Sequence, residues 1–461
     1  MATTDKRLDI SELDFDDIKT NLKTFLRNQT EFTDYDFEGS GMSSLLDLLS
    51  YNTHYLSMNA NLLANEMFID TASLRSSVVS HAKTLGYTPR SVRAPQATVD
   101  ITLNDTSVTT ATLARGTKFS TVVNDVTYNF LVNTARTKSR VDNVLTFDNV
   151  VLYEGSLITT RYTADSTNVD QRFIIPDSNA DTTTLTVSVQ NSSTDTTTTV
   201  FTLATDISQV SDTSNSYFLQ EIENGQFEVY FGDGVIGKAL TDNNIVILEY
   251  IVTNKSASNG ASTFTPPGSI SGSSDNSVAT VSTASGGAEA ENIQSIKLNA
   301  PLDYASQGRA VTTNDFKVIV PTLFANTQSV SVWGGEDNDP ASYGKVFISV
   351  KTTTGSDLTS TQKRNLESSL KSYVVSSIRP EVVDPEVISI RLTTTFKYNS
   401  TATTKTNNDL AALVSTTIAD YNTNNLGLFS APFRYSELIG QIDDSDTSIN
   451  SNITTVQMSK T

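Results

Sequence analysis

Apolar positions in the first ninety residues recur at helical spacing. Phe15, Ile18, Leu22, Phe25 and Leu26 share one face of a helix predicted over 11–27. Asp14, Asp16 and Asp17 stand near its start, where carboxylates meet the positive end of the helix dipole. The longest helical pattern runs from about Ser43 to Phe68, with Leu45, Leu48, Leu49, Tyr55, Leu56, Leu62 and Leu63 at helical intervals. Ser44 and Asp47 are spaced like a capping box. The stripe also takes in Leu46, Met58 and Met67, which is wider than one partner helix needs, so packing against another subunit is expected. A self-contained three-helix bundle fits the same pattern. A third helix is predicted from near Thr71 through Leu74, Val78, Ala82 and Leu85, ended by Gly86 and Pro89.

From about Pro95 the period changes to strict alternation. Strands are predicted at 98–103, 118–123, 126–132, 144–152, 184–189, 200–203, 217–221, 226–231 and 245–252, with Asn, Asp and Gly in the turns between them. Together they form a β-sandwich or barrel-like domain. Residues 254–288 hold Gly260, Pro266-Pro267-Gly268 and Gly286-Gly287 among Ser and Asn, the composition of an extended connector. Two short helices follow. Ile293, Ile296 and Leu298 belong to the first, which Pro301 is expected to stop. Thr312 or Thr313, with Asp315, starts the second, and Phe316, Ile319 and Val320 form its apolar stripe until Pro321. Beyond it come strands at 329–333 and 345–350, a helix over 360–376, a strand at 387–397, a helix over 408–421, a short helix from Tyr435 and a strand at 453–456. The fold class is multidomain α+β: an N-terminal helical bundle, a central β-sandwich-like domain and small C-terminal α+β units. The boundaries fall at 1–92, 93–253, 254–288 for the connector, 289–384 and 385–461.

Composition narrows the function. Acidic residues outnumber basic ones, 51 to 32, and the formal charge of −19 repels nucleic acid and anionic lipid. No apolar run approaches the roughly 20 residues that span a bilayer, and the N-terminus lacks the apolar core of a secretion signal. Cysteine is absent, so disulfides, thiolate nucleophiles and Cys-based metal sites are excluded.

Candidate chemistry is sparse. His54 and His81 each lack a second ligand at metal-binding spacing. Phe231-Gly-Asp-Gly-Val-Ile-Gly237 is the sharpest motif, but Ala239 follows Gly237-Lys238 where a phosphate loop needs Ser or Thr, and no helix pattern follows. It reads as a tight structural turn of Gly232, Asp233, Gly234 and Gly237, with Gly232 and Gly234 in backbone angles closed to other residues. Asp337-Asn-Asp339 and Asp443-Asp-Ser-Asp446 lack the remaining positions of a calcium loop. No catalytic residue, metal or cofactor is expected, and the chain reads as a non-enzyme.

Several stretches resemble a known family. Glu291-Asn-Ile, Ala300-Pro301 and Arg309-Ala-Val-Thr-Thr-Asn-Asp315 resemble the J-type baseplate family of contractile-tailed phages. Phe231 to Gly237, and Arg115-Gly-Thr-Lys-Phe119 with Tyr128-Asn-Phe130, are similar to its upstream β-region. Gly41 to Tyr55 and Leu85-Gly-Tyr-Thr-Pro89 resemble the large baseplate wedge proteins of T-even-like myoviruses. The resemblance implies a structural subunit of the virion's tail baseplate, assembled in the host cytoplasm. Two copies would pair within each wedge and join neighbouring wedges into a ring that rearranges on contraction. The helix residues Leu45 to Leu63 named above would meet another wedge protein in a helical bundle. Arg309, Val311, Thr312 and Asp315 would lie at the connector that makes ring contacts. Hub or sheath-initiating proteins are further partners in this picture; nucleic acid and membrane are not. T-even members are longer, and this chain stops soon after Val456, which predicts reduced C-terminal contacts. The alternative is a tail-fibre or adhesin subunit that binds host glycan through the Thr/Asn-rich strands; a polysaccharide hydrolase would need a carboxylate pair that Asp233 alone does not supply.

Overall fold

The computed structural model describes residues 14–29, 40–105, 107–141, 145–168, 170–204, 210–222, 225–324, 327–352 and 357–460. Predicted helix residues 11–13, the link at 30–39 and Val144 lie outside them. Three helices open the chain: α1 (Phe15–Arg27), α2 (Gly41–Glu66) and α3 (Arg75–Thr84). Strands follow as β1 (Gln96–Leu103), β2 (Thr110–Leu113), β3 (Lys118–Val123), β4 (Val126–Val132), β5 (Arg136–Ser139), β6 (Leu145–Glu154) and β7 (Ser156–Thr163). Next come β8 (Phe173–Ile175), β9 (Ala180–Gln190), β10 (Thr198–Leu203), β11 (Ser216–Glu221), β12 (Phe227–Phe231), β13 (Ile245–Val252) and β14 (Asn276–Ser285). The remainder mixes α4 (Ile293–Ser306), α5 (Thr313–Leu323), β15 (Thr327–Gly334), β16 (Lys345–Thr352), α6 (Ser360–Leu370), β17 (Arg379–Val383), β18 (Ile388–Tyr398), α7 (Asn407–Asn425), α8 (Tyr435–Asp443) and β19 (Ile449–Lys460). The chain is a multidomain α+β protein with N-terminal helices, central multi-stranded sheets and small C-terminal α+β units.

The chain divides into two compact units, and each draws on separated segments. The first takes Met1–Val92, Ile158–Tyr250 and Ala290–Tyr304. In it α1 lies against α2. The inner side of α3, Val78, Val79 and Ala82, shares a small core with Ala72 and with Ile296 and Ala300 of α4. The strands form a seven-stranded sheet in the order β7-β13-β9-β10-β11-β12-β8. All the neighbours with a resolved register are antiparallel except the parallel pair β10 and β11.

The second unit takes Arg93–Leu157, Ile251–Glu289 and Ala305–Thr461. Its five-stranded antiparallel sheet has the order β14-β1-β6-β4-β3. Strict alternation along β1 turns Ala97, Val99, Ile101 and Leu103 inward, each fully buried, while Thr98, Asp100 and Thr102 face away. A three-stranded sheet, β15-β16-β17, packs with α5 and α6 around Phe316, Ile348, Val350 and Leu370. The long β18/β19 pair carries α7 and α8 over Val414, Tyr421, Leu438 and Ile442.

Four expectations need correction. Residues 254–288 are not a bare connector: β14 pairs with β1 over its length, and Ala261, Phe264, Ile270 and Ala284 join the core of the five-stranded sheet. The Gly and Pro residues there mark turns between buried side chains. Pro301 does not stop α4, which runs on to Ser306, and Pro321 lies inside α5. A proline removes one helical hydrogen bond, but the packing of Ile296 and Ala300 on one side of Pro301 keeps α4 together. The cap of α2 is Ser40, whose hydroxyl accepts from the Ser43 amide at 3.0 Å, and not a Ser44/Asp47 box. Asp47 instead pairs with Lys19 of α1 at 2.5 Å. The predicted helix over 360–376 ends at Leu370, and 374 instead bridges to Ala310.

Candidate functional site: the outward face of the second helix

Helix α2 is 26 residues long and carries Asp47 and Glu66 as its only fully charged side chains. Its buried positions are Ser43, Leu46, Ser50 and Asn61. Three of the four are small or polar, so the helix turns its less apolar side inward. The residues singled out by spacing all point the other way: Leu45, Leu48, Leu49, Tyr55, Leu56, Leu62 and Leu63 are exposed, from 45% at Tyr55 and Leu62 to 69% at Leu63. Tyr51, Met58, Met67 and Phe68 extend the same exposed surface. Tyr51 and Tyr55 pack one turn apart in a tilted pair, ring centroids 4.6 Å from each other and planes 59° apart, with their hydroxyls hydrogen-bonded. Large side chains left in water along a whole helix amount to an apolar patch of the kind that monomeric proteins avoid. Tyr51 and Met58, which the sequence reading did not single out as site residues or left as flanking, fall on this surface at i, i+3 and i+4 from Leu48, Tyr55 and Leu62, and that spacing is the signal that could have found Tyr51.

The Phe231–Gly237 turn has no ligand geometry. Asp233 Oδ1 accepts from the amides of Val235 (2.9 Å) and Ile236 (3.0 Å), and those bonds hold its carboxyl below the usual carboxylate range. Gly234 and Gly237 have φ of +87° and +86°. Gly232 does not: it is required because a Cβ there would stand 2.2 Å from the Ile236 carbonyl oxygen. The expectation of a left-handed Gly232 is thus replaced by a steric reason. The turn presents Val235 and Ile236 to solvent.

At the start of α5, Thr312 and Asp315 form a reciprocal capping box, with Asp315 Oδ2 accepting from the Val311 (3.0 Å) and Thr312 (2.7 Å) amides. Both side chains are therefore committed to the helix end. Arg309 and Val311 are exposed beside them.

A dense charged cluster lies elsewhere, in the first unit. Glu291, its side chain fully buried, accepts from the Tyr87 hydroxyl (2.8 Å), the Arg90 amide (3.1 Å), Ser295 Oγ (2.7 Å) and Asn299 Nδ2 (2.7 Å). Arg75 bonds Glu221 through Nε (2.6 Å) and Nη2 (2.9 Å), and also donates to the Glu291 carbonyl. Burial pushes Glu291 up, but the hydrogen bonds from Ser295 and Asn299 and the Arg90 charge outweigh it and hold the carboxyl low. Burial wins at Glu221 and raises it despite Arg75. The cluster joins residues as far as 216 positions apart and commits each carboxylate to donors of the same unit, as a structural knot does. His81 donates to the Glu66 carbonyl at 2.9 Å, and among the described residues no group of His, Asp and Glu is placed to hold a metal.

Comparison with known proteins fits the exposed helix into a family. The helical domain of gp6-like baseplate wedge proteins matches residues 14–87, and the C-terminal domains I and III of baseplate structural protein gp6 match 312–383 and 386–461. The baseplate wedge protein gp6 of Enterobacteria phage T4 is 29% identical over 471 aligned residues, covering 96% of this chain and 70% of that protein. A chain in a cryo-EM structure of the anti-feeding prophage baseplate, 6-fold symmetrised, aligns over 98% of this chain and 96% of its own length at 12% identity and a TM-score of 0.34. Matches in three separate regions and, against one relative, over nearly the whole length support a baseplate wedge protein of T4-like phage, similar to gp6.

Proposed function

We propose that this structural protein of the tail baseplate assembles by burying the outward face of α2 against helices of another wedge protein. Two copies pair within a wedge, neighbouring wedges join through them into a ring around the hub, and the ring repacks when contraction is triggered. The observation that carries the reading is the lopsidedness of α2: seven leucine and tyrosine side chains at helical spacing stand exposed, while two serines, an asparagine and a single leucine, Leu46, face inward. A helix-in-groove partner reads such a face through i, i+3, i+4 and i+7 anchors. The exposed pair Arg309 and Val311, held at a fixed angle by the Thr312–Asp315 box, supports a role in contacts between copies.

Co-expression with the neighbouring wedge proteins tests this. Leu48→Asp together with Leu56→Asp should leave the isolated chain folded and abolish co-purification with the partner. Normal co-purification of the folded double variant refutes the docking role. Trimerisation of the chain alone with binding to host cells would replace the wedge reading by that of a fibre subunit.

A further inference from the structure

The direction in which α2 presents its face is fixed at its C-terminal end, by contacts outside that face. Residue 66 is held twice. Its side chain reaches the start of α3: Glu66 Oε1 accepts from the Ser73 amide (2.8 Å), the Ser73 hydroxyl (2.7 Å) and the Leu74 amide (3.2 Å). The N-cap of α3 is Leu74, which has no side-chain acceptor to offer. The last residue of α2 therefore supplies the cap that α3 lacks, and its carboxylate sits at the positive end of that helix. In return, His81 in the last turn of α3 donates from Nε2 to the Glu66 carbonyl (2.9 Å), one of the terminal acceptors that α2 cannot satisfy within itself. Thr71 Oγ1 adds a bond to the Asn65 carbonyl at 2.6 Å. Helix α3 is itself immobilised in the first unit, by Val78, Val79 and Ala82 in the core and by Arg75 on Glu221.

We infer that Glu66 and His81 are positioning residues, a reciprocal clamp at the α2–α3 elbow that holds α2 at the angle its partner requires. The functional half of this inference rests on the docking role proposed for α2; the mechanical half does not. A helix of this length, about 39 Å at 1.5 Å per residue, converts a small change of angle at the elbow into a large displacement at its far end. If the elbow is loosened, only a fraction of molecules hold α2 at the docking angle. The apparent Kd then rises by the inverse of that fraction, about tenfold if one molecule in ten remains competent.

The test uses the full chain, which contains no cysteine, so spin labels at Asn52→Cys and Thr84→Cys are the only ones present. Electron–electron distance measurements on the free protein should give one narrow distribution, broadened by Glu66→Leu and by His81→Leu. His81→Gln, which keeps an N–H donor, should restore the narrow distribution. Partner binding should fall at least tenfold in both leucine variants and recover in His81→Gln, with the thermal midpoint of His81→Leu close to that of the parent. Narrow distributions in both leucine variants overturn the clamp. Broadened distances with unchanged partner affinity overturn its positioning role, as does an equal loss of binding in His81→Gln and His81→Leu. If Leu48→Asp and Leu56→Asp leave assembly intact, the docking role fails while the distance measurement still decides whether the clamp exists.

Discussion

Glu291→Gln is the sharpest probe of what holds the first unit together. The substitution keeps the side chain's size but removes its charge and turns one acceptor into a donor. Four partners converge on the carboxylate: Tyr87, the Arg90 amide, Ser295 and Asn299. Hydrogen bonds to a charged group contribute about 1.5–3 kcal/mol each in favourable cases, and breaking a buried ion pair costs about 3–5 kcal/mol. The Arg90 guanidinium stands 3.7 Å away and is one-third exposed, so the pair itself belongs at the low end. A net loss of about 2–4 kcal/mol follows. In a unit of roughly 200 residues that lowers the melting midpoint by about 4–16 °C. Scanning calorimetry of the purified chain at pH 7 measures it directly. The sign of the pH dependence adds a second test. Glu291 is held below the usual carboxylate range, so its contribution is present above the unfolded value of about 4.3 and is lost as pH falls through the lower folded value. The gap between parent and variant should be full at neutral pH and close below about pH 4.3. Glu221, raised by burial, behaves oppositely: ionising it costs stability as pH rises between the ordinary and the raised value, so Glu221→Gln should cost less at pH 7 than Glu291→Gln. A Glu291→Gln midpoint within about 1 °C of the parent, or a gap that widens in acid, refutes the reasoning.

Other substitutions test single steps. Gly232→Ala should destabilise by more than about 2 kcal/mol in urea titration, because the new Cβ meets the Ile236 and Gly237 carbonyl oxygens. Gly234→Ala, where the new Cβ would make only an ordinary contact with the Ala239 Cβ (3.7 Å) but the backbone is left-handed, should cost about 1–2 kcal/mol. Gly440→Ala should stabilise by about 0.8–1 kcal/mol, since the position lies inside α8 with nothing near the added Cβ.

Periodicity made much of this architecture legible. β3, β4 and β13 stand at 118–123, 126–132 and 245–252, where alternation places them, because each sets buried residues against a solvated side or lies wholly in a sheet. The strands it missed lack that signal. β5, Arg-Thr-Lys-Ser, is exposed at every position and is held by the β2 backbone and by the hydroxyl pairs Thr112–Thr137 and Thr110–Ser139 across the ladder. In β14 the pattern is carried by Val278, Ala284 and small polar residues, whose composition resembles a linker. Prolines 301 and 321 argued for helix ends, and tertiary packing overrode them. At the candidate site, spacing along α2 picked out side chains that the fold leaves exposed, but spacing alone did not say which way they face, because a wide apolar stripe is compatible with burial inside the chain or outside it. The Glu291 cluster was invisible for another reason: its members are ordinary residues separated by more than 200 positions, and only the fold brings them together.

Hydroxyl-radical footprinting of α2 in the free chain and in assembled baseplates tests the central claim most directly. Tyr51, Tyr55, Leu56 and Met58, all exposed in the isolated protein, should be oxidised readily when the chain is free and be protected in the baseplate. Equal oxidation of these residues in the two states would contradict assembly through this face.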